Sequence, residues 1–118
     1  VKAALAQSGS GSASTKWAYS IHEHHIYPKW LGGLENGPTL RIRGWEHIAD
    51  LEPRLFEYLR QEIPSISRRR ATDATAALRR GQVTREVIDQ TLEDFYLDRY
   101  PQLSRDAVKE TLKEGKPQ

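Results

Sequence analysis

The sequence predicts an α+β domain with little sheet. Short stretches of strand character, broken by Gly, Pro and Asn, occur only before residue 44. Beyond it, apolar residues recur three and four apart, the spacing of helices packed by one face. With 118 residues the chain builds one domain, since a domain takes roughly 150.

Residues 1–16 read as a tail. Its run Ser8-Gly9-Ser10-Gly11-Ser12 is flexible by composition, either a linker from a larger parent or a cloning remnant. Residues 17–118 then form the domain. Trp17-Ala18-Tyr19-Ser20-Ile21 places aromatics two apart and predicts a short strand. Pro28 and Gly32-Gly33 demand a loop, and Asn36-Gly37 suits a tight turn between strands. Thr39-Leu40-Arg41-Ile42-Arg43 alternates apolar and basic, which predicts a strand with one wet face.

Gly44 ends that strand and a helix follows. Trp45, Ile48, Leu51 or Glu52, Leu55 and Leu59 form its repeating face. Pro53 inside this pattern either kinks the helix or stops and restarts it. Arg68-Arg69-Arg70 falls in a polar connection after Pro64. Thr72 or Asp73 can cap a short helix ending before Gly81. Thr84 caps the next, with Val87, Ile88, Leu92, Phe95 and Leu97 as apolar surface and Pro101 as its stop. Ser104 caps a last helix bearing Val108 and Leu112, closed by Gly115.

Composition excludes several classes of function. There is no cysteine, so disulfides, thiolate metal sites and cysteine nucleophiles are ruled out together. No run of about 18 apolar residues exists to cross a membrane. No signal-peptide pattern opens these residues, and no nucleophile-elbow sequence supports a serine hydrolase. The net charge is only +2, but residues 62–85 carry six basic and two acidic side chains. Twelve of the 18 basic residues are Arg, whose planar fork matches phosphate oxygens. Such a segment permits nucleic-acid binding and equally suits a solvated, ion-paired surface.

The four histidines lie at positions 22, 24, 25 and 47. Imidazole is the commonest metal ligand and the side chain best matched to proton transfer near pH 7. In an extended strand, adjacent His24 and His25 point to opposite faces. That suggests a division of labour, one ring on a metal and the other on the substrate. His22 shares the face of His24, as a supporting group, a phosphate contact or an exposed residue. Glu23 either orients a histidine or is solvated.

The run His24-His25-Ile26-Tyr27-Pro28, then Gly32-Gly33, Asn36, Leu40 and His47, resembles the HNH, or His-Me finger, endonucleases. It looks most like the endonuclease VII-type toxin domains of bacterial polymorphic toxin systems. The resemblance covers about residues 20–60; the helical extension 62–118 matches nothing by motif. It implies a ββα-metal core, two strands and a helix clasped around one divalent metal. By the same resemblance, His24 and His47 would be metal ligands and His25 the general base. Asn36 would hold the loop and orient that base. Many relatives carry a second helix histidine three or four residues after the first, where this chain has Asp50 and Leu51. Asp50 is either a third ligand or a wet helix residue. As a ligand its carboxylate favours Mg²⁺ or Mn²⁺, with Zn²⁺ or Ni²⁺ also accommodated.

Lys29, Arg41 and Arg43 flank the motif and are the preferred phosphate contacts, with Arg68-Arg69-Arg70 next. Tyr27, Trp30 and Trp45 either stack on bases or belong to the core. Phosphate contacts set affinity and salt dependence rather than sequence choice. The expectation is therefore a sequence-non-specific, metal-dependent DNA endonuclease. An RNase on the same fold and a non-catalytic, metal-stabilised binding module are the alternatives. The resemblance further implies a C-terminal toxin domain behind a delivery module. Such a domain is secreted or injected, acts in the target-cell cytoplasm, and is blocked by a cognate immunity protein. Charge complementarity makes that partner acidic.

Overall fold

The computed structural model describes residues 17–66 and 70–117. The expected tail, 1–16, and Arg68 and Arg69 of the arginine run lie outside the described residues. The chain is α+β. Strands β1 (Ile21–His25) and β2 (Thr39–Arg43) pair antiparallel, and helices α1 (Gly44–Glu46), α2 (Glu52–Glu62), α3 (Ala71–Arg79), α4 (Arg85–Arg99) and α5 (Arg105–Gly115) follow.

The register sets His24 opposite Leu40, His22 opposite Ile42 and Glu23 opposite Arg41. One face of the ribbon therefore carries His22, His24, Leu40 and Ile42. The other carries Glu23, His25, Arg41 and Arg43. The first strand begins later than expected. Trp17, Ala18 and Tyr19 form a helical turn, closed by Ser20 Oγ donating to the Trp17 carbonyl at 2.9 Å. Two aromatics spaced for a strand lie there at the surface, so no buried face rewards extension.

The strands are not joined by a tight Asn36-Gly37 hairpin. Residues 26–38 intervene, with a short 3₁₀ turn at Lys29–Leu31 and a separate turn in which Gly37 N–H donates to the Leu34 carbonyl. Gly33 is required by close approach. A Cβ there would lie 2.0 Å from the Tyr27 carbonyl oxygen. Its own N–H donates to Pro28 O, which tightens the loop around that contact.

Pro53 restarts the helix. Between α1 and α2, residues His47–Leu51 form a π-helical turn, in which Glu52 N–H donates to His47 O. Proline has no N–H to give, and its ring collides with the carbonyl four residues back in a regular helix. A widened turn ahead of it relieves that collision, and α2 begins with Pro53 in its first turn.

The core gathers Leu51, Leu55 and Leu59 from this rod, Ile88, Leu92 and Phe95 from α4, and Val108 and Leu112 from α5. Tyr27, Leu31 and Ile42 join them from the first half, so the two halves share one core. Thr84 and Ser104 cap α4 and α5 as expected, accepting from Val87 N–H at 3.2 Å and Ala107 N–H at 3.1 Å. Neither Thr72 nor Asp73 caps α3. That helix starts earlier, from Arg70, without a side-chain cap. Val87, expected on the apolar side of α4, is exposed.

Candidate metal centre and cleft

β1 ends in the site. His24 is 2% exposed, and its Nδ1 lies 2.9 Å from Glu52 Oε2. The same oxygen is 3.7 Å from His47 Nε2. His24, His47 and Glu52 each offer a ligand atom within 4.8 Å of the others. At 2.9 Å, either a proton on Nδ1 or a shared cation must sit between His24 and Glu52. Two imidazoles and a carboxylate form a donor set for a divalent metal with open positions. These three residues could hold such an ion.

The carboxylate in this cluster is Glu52, where the sequence pointed to Asp50. Asp50 turns away from the histidines and binds Arg99, at 2.9 Å, and Arg54. Hydrogen bonds from Arg99 and then Arg54 hold its carboxyl below the usual carboxylate range. The π-turn is the physical reason for the exchange. In a regular helix, residues three and four apart are neighbours and five apart are not. The i-to-i+5 turn swings Glu52 onto the side of His47. The only advance signal was Pro53.

Two further contacts orient these side chains. His47 Nδ1 lies 3.1 Å from His22 Nδ1, so the first histidine of β1 supports the His47 ring. His24 Nε2 lies 2.8 Å from the hydroxyl of Tyr96 on α4. Burial, and then the nearby Glu52 carboxylate, push that hydroxyl well above the ordinary tyrosine range, so it keeps its proton. No local spacing in the sequence singles out Tyr96. Its place is set by helix packing across 72 residues of chain.

A cleft of about 140 Å³ opens beside the cluster, lined by His24, His47 and Glu52 together with His25, Glu23, Lys29 and Trp30. His25 Nε2 donates to the Glu35 carbonyl at 2.9 Å. A carbonyl only accepts, so neutral His25 keeps the lone pair on Nδ1. Asn36 was expected to orient this ring, but the main chain of its neighbour does so. Asn36 itself is exposed in the turn. Lys29 lines the cleft and pairs with Glu35 at 2.9 Å. Arg41 and Arg43 are exposed on the ribbon face of His25, outside the cleft lining, and Arg43 donates to the Tyr19 carbonyl.

The helical half braces the motif loop as well. Tyr27 is core, not a stacking platform. Its hydroxyl donates to Asp89 at 2.9 Å and accepts from Arg85, which also binds the Leu31 carbonyl. Trp30 lines the cleft and packs edge-on against Phe56. No helix among the described residues is long and apolar enough to cross a membrane. Comparison with protein-family models, curated proteins and solved structures finds no match to this chain.

Proposed function

We propose that this domain is a metal-dependent endonuclease that hydrolyses phosphodiester bonds. One observation carries the reading. A histidine with a free Nδ1, His25, shares a cleft with a three-residue cluster suited to a divalent cation. The order β1, β2, helix and the His24-His25 motif support it, as does the resemblance to His-Me finger nucleases.

Each residue then has a task. His24, His47 and Glu52 hold the metal, which when bound supplies positive charge to the phosphate and leaving oxygen. His25 accepts the proton of the attacking water on Nδ1, while Glu35 O holds the ring by Nε2–H. Lys29 meets the substrate phosphate at the cleft. Arg41 and Arg43, side by side on the ribbon, track the flanking backbone. Glu52 keeps an oxygen donor in the set, so Mn²⁺ and Mg²⁺ remain the preferred ions. Three protein donors fit an open, reactive site better than a structural zinc site, which takes four. The toxin role, delivery module and acidic immunity protein rest on the motif resemblance.

The test is cleavage of supercoiled plasmid by the purified domain with Mg²⁺, Mn²⁺, Zn²⁺ or EDTA, beside His25→Ala and an RNA substrate. Metal-dependent nicking that His25→Ala abolishes is the expected result. Degradation of RNA alone would keep the chemistry and change the target. A folded, metal-loaded domain that cleaves neither would overturn the enzyme reading.

A further inference from the structure

We infer that Tyr96, far from the motif on α4, is a positioning residue that selects Nδ1 of His24 as the metal-donating atom. The inference rests on the reading of His24, His47 and Glu52 as a metal centre, and adds to it how the helical half of the chain takes part.

The argument is one of proton counting. A tyrosine hydroxyl carries one hydrogen. Tyr96 Oη lies 2.7 Å from the Ile26 carbonyl oxygen, which can only accept. The hydroxyl proton is therefore committed there. The same oxygen lies 2.8 Å from His24 Nε2, so in this second bond it must accept. Nε2 then carries a proton, so of the two ring nitrogens only Nδ1 can give a lone pair to a metal. That is the nitrogen facing Glu52 Oε2 at 2.9 Å, in the cluster with His47. Tyr96 and His24 are 3% and 2% exposed, so water has little access to replace either partner. Adjacent ring contacts with Phe95 hold the tyrosine in place.

The consequence is a shared design. β1 supplies the ligand, α4 decides which of its two nitrogens is offered, and the carbonyl of Ile26, just past β1, accepts the hydroxyl hydrogen bond that settles the choice. Residues 62–118 are then part of the centre rather than an appendage to it.

Tyr96→Phe removes only the hydroxyl and keeps the ring. Metal affinity would be measured by calorimetry with Mn²⁺ and Zn²⁺, and the His24 ring nitrogens by long-range ¹⁵N–¹H correlation on the Zn²⁺-loaded protein. Wild type should show Zn²⁺ on Nδ1 and a proton on Nε2. Tyr96→Phe should bind about 10- to 100-fold more weakly, as expected when a supporting partner of a ligand is lost. It should also lose the single protonation pattern of His24. Unchanged affinity with unchanged Nδ1 coordination in Tyr96→Phe would overturn the inference and leave the metal centre standing. Should the variant not fold, wild type alone decides, because Zn²⁺ on Nε2 of His24 overturns it equally. A wild type that binds neither metal would remove the metal centre, and the inference with it.

Discussion

His22 and His47 face each other through Nδ1 atoms 3.1 Å apart, an edge-on pair with ring centroids at 5.3 Å. One of the two nitrogens must carry a hydrogen and the other a lone pair. If His47 gives its Nε2 lone pair to a metal, its Nδ1 is the donor and His22 the acceptor. The strand residue two before His24 thus holds the His47 ring in orientation, as Tyr96 holds that of His24.

Replacing His22 by Phe keeps a ring and removes the acceptor. Affinity for Mn²⁺, followed by calorimetry, should fall roughly tenfold or more. Thermal stability without metal should change far less. Wild-type affinity in His22→Phe would show that the contact does not orient His47.

In the proposed metal centre Glu52 ligates, while Asp50 braces through Arg99 and Arg54. Glu52→Gln should weaken metal binding strongly, since a charged oxygen donor is exchanged for a neutral one. Asp50→Asn should leave metal affinity at the wild-type value. Calorimetric titration of both variants checks the pair, and the opposite pattern would restore Asp50 as the ligand.

Asp50 has its own signature in pH. Its folded carboxyl titrates below the usual range because Arg99 and Arg54 bind the ionised form. A depressed folded value contributes stability that is present above the unfolded value, about 3.9, and lost as pH falls through the folded value. Wild type should exceed Asp50→Asn by about 1 kcal/mol at pH 7, the scale of a partly exposed ion pair. That margin should shrink as pH drops below about 4. Urea unfolding at pH 7 and pH 3 measures it, and a margin that grows with acid would contradict the assignment.

Gly33→Ala tests the loop. The added methyl meets the Tyr27 carbonyl oxygen at 2.0 Å, so main chain must move. A loss of about 1–3 kcal/mol is expected, as for overpacked sites. Denaturant unfolding reads it, and an unchanged midpoint would mean the loop has room the structure does not show.

Much of the architecture was legible because it is local. Thr84 and Ser104 announce helix starts by side-chain chemistry that acts within three residues. Leu51, Leu55 and Leu59 repeat at helical spacing and are all fully buried. The alternation that separates His24 from His25 follows from strand geometry alone. Trp17–Ile21 misled for the converse reason, because strand spacing means little without a partner surface to bury it.

By itself, the sequence determined the α+β character, the Thr84 and Ser104 helix caps, the loop at Gly32-Gly33 and the concentration of imidazoles on and after the first strand. Only the tertiary structure decided which carboxylate meets those imidazoles, which nitrogen each ring presents, and what the helical half contributes. Glu52 reaches His47 through a π-turn ahead of Pro53, and Tyr96 reaches His24 across 72 residues. Local spacing governs caps and strand faces. Hydrogen bonds between distant segments depend on how the helices pack, and side chains converge on a site only once the core has set them there.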